Sequence, residues 1–252
     1  MAEYLYRRNV VLEALRAGRR DLRRMMMDAE ADRESLRDIL AEAGRLHVKI
    51  DSRSTKELNL ISHGDNHQGV VLEVGPYPYA EFDEPFARAH AAGEPPLLLL
   101  LDQVQDPANV GRLLRTAEAC GVHGVYLPDK GSGEITPAVV TASMGASEHM
   151  RVVRVGNMAQ AIAMIKREEV WIAGLDLSTQ AKRVDQVDLN RPLGIVVGNE
   201  GSGIRRLVRE KCDFLIKLPM RGQVQSLNAA IAGSIVLYAA WQSRGFTSPP
   251  QP

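Results

Sequence analysis

Along residues 1–76 the apolar positions switch between helical and strand spacing every ten residues or so. Asn9 stands where a helix N-cap is expected, with the helix running through Leu15 and stopping at Gly18, and residues 22–27 follow as a strand. Residues 35–43 have helical periodicity up to Gly44. Residues 47–50 read as a short strand, 55–61 as another helix and 69–74 as a strand. The pattern predicts a small α/β unit with Met25, Met26 and Met27 in a core strand. Between 75 and 96, prolines, acids and small residues replace the periodicity, as in an exposed connection. The expected division is therefore 1–76, a linker at 77–96, and a second domain at 97–246.

From residue 97 the alternation lengthens. Strands are predicted at 97–101, 124–127, 152–155, 171–175, 193–197 and 214–218, with helical patterns between most of them. Apolar runs such as "LLLLL" and "IVV" suit strands buried on both faces, so the fold class is α/β with a mostly parallel sheet. Ligands of such sheets sit beyond the carboxyl ends of the strands, which points to the loops after Leu101, Val197 and Leu218. The second of these, "IVVGNEGSGIRRL", has the strand, loop and helix layout of a phosphate-binding loop. A P-loop places Lys and then Ser or Thr directly after its last glycine, whereas Gly203 is followed by Ile204 and Arg205. The dinucleotide fingerprint fits no better, because Gly198, Gly201 and Gly203 stand in the reverse order of G-x-G-x-x-G.

Composition narrows the class without naming a ligand. The 252 residues, 45% hydrophobic and 25% charged, describe an ordinary water-soluble protein. The longest apolar run falls far below the ~20 residues of a membrane span, and Arg7 and Arg8 precede no leader-like apolar stretch, so a cytoplasmic location without membrane association is expected. Cys120 and Cys212 have no Cys or His at ligand spacing, and His63, Asp65 and His67 form a polar turn lacking a third fixed ligand; no metal is expected. Trp171 and Trp241 are expected to be buried. A net charge of zero leaves any case for nucleic acid to local patches.

Three segments occupy the predicted ligand-side loops. In "DPANVGRLLRTAEACGV" Asn109 can cap a helix and Arg115 lies two turns on; in "GNEGSG" Glu200 can complement a helix N-terminus; in "LPMRGQVQSLNAAIAGSIVLYAA" Ser226 can cap the last helix, with Asn228 in its first turn. Each is unremarkable singly. In this order and spacing, Asn109, Gly111 and Arg115, then residues 198–201, then L-P-M with Ser226, Leu227 and Asn228, the chain resembles the SpoU (TrmH-like) branch of the SPOUT methyltransferases. The family commonly continues with Val-Ser where this chain has Ala229 and Ala230.

The resemblance implies a deep trefoil knot in the second domain, a rare exception to unknotted topology, with S-adenosylmethionine as the cofactor, no metal and a homodimeric assembly. It implies cofactor contacts at Gly198, Asn199, Gly201, Ile216, Leu218 and Leu227, and methyl transfer to a ribose 2′-hydroxyl of RNA. Catalytic roles fall on Arg115, Asn109, Glu200, Ser226 and Asn228. Because a guanidinium stays protonated, Arg115 is expected to hold a phosphate and stabilise the developing alkoxide, while the other four fix the arginine and the nucleotide.

Residues 1–76 resemble the α/β/α substrate-binding domain of ribosomal RNA 2′-O-methyltransferases. Seven arginines between positions 7 and 24 outnumber the acids there, so Arg7, Arg8, Arg19 and Arg20 are expected RNA-phosphate contacts; the plainer reading is a solvated helix face. The expected substrate is a guanosine of 23S, large-subunit ribosomal RNA, with RNA the only macromolecular partner besides a second copy of the chain. A tRNA guanosine 2′-O-methyltransferase and a non-catalytic RNA-binding assembly protein are the alternatives, and glycine order disfavours a nucleotide-dependent oxidoreductase.

Overall fold

A computed structural model describes residues 2–131 and 133–247. It falls into two compact units, the first formed by the chain up to Pro78 together with Ile135–His149, the second by Tyr79–Glu134 and the chain from Met150.

The first unit carries strands β1 (Glu3–Tyr6), β2 (Leu22–Asp28), β3 (Lys49–Arg53) and β4 (Val70–Val74), with helices α1 (Arg8–Ala17), α2 (Arg37–Arg45) and α3 (Thr55–Ile61). Its sheet runs β1, β4, β2, β3, with β2 and β3 parallel and the other pairs antiparallel. Met25, Met26 and Met27 are buried as expected. Strand β1 escapes the sequence reading, because "EYLY" buries only Leu5 fully. Helix α1 begins one residue before Asn9, with Arg7 rather than Asn9 at the N-cap, and Gly18 closes it in the left-handed conformation. Helix α3 has the expected bounds because Ser54 and Glu57 form a reciprocal capping box.

The first unit is discontinuous in sequence. Helix α6 (Pro137–Ala142) and the turn after it belong to it, burying Val139, Val140, Ser143 and Ser147. They bring Glu148 to Arg20: Glu148 Oε2 accepts from Arg20 Nε at 2.8 Å and Oε1 from Nη2 at 3.0 Å, while Arg20 Nη1 reaches Glu3 at 2.6 Å. The Arg20 side chain is 0% exposed and that of Glu148 1%, so each charge depends on the other for solvation.

The second unit contains α4 (Glu84–Ala92), β5 (Leu97–Asp102), α5 (Pro107–Ala119), β6 (Gly124–Pro128), β7 (Val152–Val155), α7 (Met158–Ile165), β8 (Trp171–Leu175), β9 (Lys182–Arg183), β10 (Leu193–Gly198), α8 (Arg206–Lys211), β11 (Phe214–Lys217) and α9 (Ala229–Ser243). The seven strands pair in the order β7, β6, β5, β10, β8, β11, β9, all parallel. All six strands expected from the apolar runs are present. Helix α7 packs on one face among Leu98, Leu100, Ile172 and Val196. On the other face α9 lies against α5 and β10, so closely that a Cβ on Gly233 would meet Leu113 at 2.7 Å and Val197 at 2.9 Å.

The stretch expected to be an exposed linker contains α4. Its apolar face is too narrow to show as periodicity: Pro85 and Ala89 are buried, Pro85 packs where Gly124 has no side chain, and Phe82 meets the Tyr126 ring edge-on at 5.3 Å.

Removing one partner of a buried pair leaves the other charge uncompensated, a loss of about 3–5 kcal/mol. Arg20→Ala is therefore expected to lower unfolding free energy by that amount in urea titration. A change below about 1 kcal/mol would show that the pair is not the lock of the first unit.

Candidate functional site

Strands β5 and β10 are neighbours with Gly198 opposite Asp102, so the loops leaving their carboxyl ends start side by side. After Gly198 the chain makes a tight turn in which Asn199 and Gly203 exchange backbone hydrogen bonds of 3.1 and 2.9 Å. The Asn199 side chain is satisfied at both ends: Oδ1 accepts from the Gly201 and Ser202 N–H groups at 2.9 and 3.2 Å, and Nδ2 donates to the Gln103 carbonyl at 3.1 Å. The returning chain passes so near that a Cβ on Gly198 would lie 2.3 Å from Gly203 C and 2.4 Å from Ile204 N. Only glycine fits there.

Asn109 is buried and donates through Nδ2 to Glu200 Oε1 at 2.7 Å. Its Oδ1 accepts from Asn228 Nδ2 at 3.3 Å and from Arg112 Nη1 at 3.2 Å. Residues far apart in sequence thus meet on one amide. Neither expected cap is used: Asp106 caps α5 through the Ala108 N–H, with Pro107 in the first turn, and Asn228 caps α9 by accepting from the Ala230 and Ile231 N–H groups. Ser226 is exposed and makes no hydrogen bond among the described residues. Glu200 lies in the turn after β10, several residues before α8 begins at Arg206, so it is no dipole partner of that helix. Arg112 escaped the sequence reading; its place one turn after Asn109 was the available signal. Arg115 is exposed, and no described residue bonds its guanidinium. It lies about 9 Å along α5 from Asn109 at 1.5 Å per residue.

A cavity of about 410 Å³ opens beside this network. Gly198, Asn199, Gly201, Ile216, Leu218 and Leu227 all line it, as do Glu200 and Ser226. Sequence reasoning did not find Leu175, Asp176 and Leu177, which enter from the end of β8. From the largely exposed segment 218–227, Leu218, Met220, Ser226 and Leu227 line the cavity, and none of these four is hydrogen-bonded to another described residue. The ionisable lining comprises Asp176, Glu200 and Lys217. Burial acts to raise the Asp176 carboxyl, but hydrogen bonding from Ser178 and the nearby Arg209 outweigh it and hold that carboxyl below its usual range. With Arg209 3.7 Å from Asp176 and one lysine matched by Glu200, the lining offers no cationic cradle for a polyphosphate.

The expected RNA arginines behave differently. Arg20 is consumed by Glu148 and Glu3. Arg19 donates to the carbonyls of Pro78 at 2.9 Å and Glu148 at 3.3 Å, and its guanidinium lies 5.8 Å from the Tyr77 ring centre. These two residues lock the first unit and are not offered to phosphate. Arg8 is half-buried, with Nε bonded to the Gln68 carbonyl at 3.1 Å, and Arg7, also half-buried, starts α1 at φ 80°. Neither the solvated-face reading nor a common phosphate-binding row describes the four. Trp171 is also corrected: it is 47% exposed, and the Arg191 guanidinium stacks 4.9 Å from its ring centre. Among the described residues no cluster of His, Cys, Asp and Glu can hold a metal, and no helix is long and apolar enough to cross a membrane.

The SpoU rRNA Methylase family model matches residues 96–238, and the model for RNA 2′-O ribose methyltransferase substrate binding matches residues 4–80. The chain belongs to the SpoU rRNA methylase family and is an RNA methyltransferase by class. YacO of Bacillus subtilis, named for the TrmH family of tRNA/rRNA methyltransferases, is 38% identical over 96% of both chains. A similarly named Staphylococcus saprophyticus protein is 37% identical over 95% of both. Among solved structures, the SpoU methyltransferase AviRb from Streptomyces viridochromogenes, in complex with AdoMet, superposes with a TM-score of 0.80 at 23% identity, covering 98% of this chain and 92% of that one; this likeness is of fold. The A. aeolicus TrmH/SpoU tRNA modifying enzyme aligns over 68% of this chain and 90% of its own, with a TM-score of 0.54 and 26% identity.

Because its Cβ would overlap main chain that cannot rotate away, Gly198→Ala is expected to displace the 199–203 turn and destabilise the protein by about 1–3 kcal/mol. Thermal unfolding indistinguishable from the parent would contradict this close approach.

Proposed function

We propose that the protein transfers a methyl group from S-adenosylmethionine to a ribose 2′-hydroxyl of RNA, with a guanosine of large-subunit (23S) ribosomal RNA in the cytoplasm as its target. One observation carries the reading: the cavity, walled on one side by Leu218, Met220, Ser226 and Leu227, joins the Asn109, Glu200 and Asn228 network through Glu200, which lines the cavity and bonds Asn109. The cavity size lies within the ~300–1,000 Å³ of small-molecule sites. Leu175, Ile216, Leu218 and Leu227 supply apolar surface for an adenosyl group, backbone groups of the lining can read its polar edge, and the exposed Glu200 carboxylate suits a sulfonium. The knotted threading of the segment after β11 is part of the same reading.

When bound, S-adenosylmethionine supplies an electrophilic methyl group. The protein then has to align the ribose hydroxyl and ease removal of its proton. Arg115, exposed and unpaired, holds the phosphate beside the target ribose and stabilises negative charge growing on the 2′-oxygen. Asn109 orients one Glu200 oxygen, leaving the rest of that exposed carboxylate, with the Ser226 hydroxyl, to position the nucleotide. The second unit carries the transfer, and the first, formed by the chain up to Pro78 with Ile135–His149, holds substrate RNA. The ribosomal preference is supported by the match of residues 96–238 to the SpoU rRNA Methylase family model.

Arg115→Ala is expected to reduce methyl transfer by ~10³-fold while S-adenosylmethionine affinity stays within about twofold, and Arg115→Lys also stays poor because a point ammonium lacks the planar donor fork. Near-normal turnover in Arg115→Ala would remove this residue from the mechanism.

The same reading makes the protein a homodimer. Helix α9 exposes Ile231 (49%), Ile235 (43%) and Tyr238 (52%) in one stripe, more apolar surface than a solvated helix face needs. Its neighbour α5, tied to it by the Thr116 and Ser234 hydroxyls at 2.9 Å, carries Arg115, so both helices lie near the proposed interface. Light scattering is expected to give twice the 27.7 kDa chain mass; a monomer at micromolar concentration would contradict the dimer.

A further inference from the structure

Asp102 ends β5 as the strand partner of Gly198, and it is 0% exposed. A carboxylate at that depth persists only if its oxygens are bonded. Oδ2 accepts the Arg205 backbone N–H at 2.9 Å, while Oδ1 accepts Arg205 Nε at 2.8 Å and Nη2 at 2.6 Å. Arg205 is the residue at which the loop begun at Gly198 ends and α8 starts. The next residue, Gln103, takes the other end of that loop through the bond from Asn199 Nδ2 to its carbonyl, and it does so in the left-handed conformation at φ 64°, which a non-glycine residue adopts only when its surroundings hold it. Two consecutive residues at the tip of β5 therefore fasten both ends of the 199–205 loop. The loop itself contributes Asn199, Glu200, Gly201, Ser202 and Gly203 to the cavity.

From this geometry we infer that Asp102 is a positioning residue for cofactor binding: through Arg205 it holds the 199–205 loop in its ligand-ready shape before any ligand arrives. The inference rests on the reading of the cavity as an S-adenosylmethionine site. Preorganisation of this kind is felt in affinity, since a loop that is loose when empty must be ordered at the moment of binding. A carboxylate accepts from both the main chain and the guanidinium of Arg205. An asparagine in its place can accept through one oxygen only, and its amide nitrogen faces a donor.

The test uses the full-length protein and two readouts, amide hydrogen exchange without ligand and calorimetric titration with S-adenosylmethionine. Asp102→Asn is expected to speed exchange at the Gly203 and Arg205 amides at least tenfold and to weaken S-adenosylmethionine at least tenfold. Arg205→Lys keeps the main-chain bond and a positive charge and is expected to stay within about threefold of the parent in both. Should Asp102→Asn fail to fold, Arg205→Ala takes its place, since the Arg205 side chain is 42% exposed and its removal leaves the main-chain bond. Ile162→Val, on the buried face of α7, supplies a variant of lowered melting temperature with unchanged affinity, which separates loop positioning from general destabilisation. Unchanged exchange in Asp102→Asn, or faster exchange with parental affinity, would overturn the inference. Failure of the unaltered protein to bind S-adenosylmethionine would overturn the cofactor reading and this role together, while exchange at Gly203 and Arg205 would still report whether Asp102 fastens the loop.

Discussion

The parallel pairing of β5 with β10 is the constraint from which the site follows. On one side of β5 the sheet continues through β6 and β7 in sequence order; on the other it jumps to β10 and then β8. That reversal is a topological switch point, and connections on its two sides diverge to leave a crevice at the carboxyl ends. Gly198 and Asp102 face each other at its lip. Because both strands are buried along their length, a shift in register would carry apolar side chains out of two packed faces, so the positions of the loop ends are set by the core beneath them.

On this base a small number of polar groups do the selecting. Asn109 joins α5, the turn after β10 and the start of α9 by hydrogen bonds to Glu200 and Asn228, and Gly233 lets α9 approach α5 and β10 closely enough for those groups to meet. Burying an amide without partners costs roughly 1–3 kcal/mol, so the network holds its elements together only while complete. The segment 218–227, by contrast, makes no hydrogen bond to another described residue and is exposed from Pro219 onward. A loop at 199–205 bonded at both ends suits a site that must present a ligand in one orientation.

The sheet strands were readable in the sequence because parallel strands buried on both faces are runs of Leu, Val and Ile, as in residues 97–101 and 193–197. The site residues were readable as a set because their types and order follow a motif, and eight of them line one cavity. Helix caps were less so. Asp106 and Asn109, or Ser226 and Asn228, are all good capping types within one turn, and tertiary bonding decided which side chain faces its own helix and which faces a neighbour. The arginines between positions 7 and 24 look alike in sequence, yet Glu148, more than a hundred residues on, takes Arg20 out of solvent, and no local pattern announces such a partner. The return of Ile135–His149 to the first unit was hidden for the same reason, and α4 because its buried face is made of Pro85 and Ala89.

The proposed chemistry is transfer of a methyl group to the ribose of RNA. Its most direct measurement is incubation of the full-length protein with S-adenosylmethionine labelled in the methyl group and separate pools of ribosomal and transfer RNA, followed by alkaline hydrolysis, which cannot cleave next to a methylated 2′-oxygen. The account predicts label in ribosomal RNA, recovered in alkali-resistant dinucleotides with guanosine as the modified member. Label released with mononucleotides, which places the methyl group on a base, or no transfer to either pool, would contradict it.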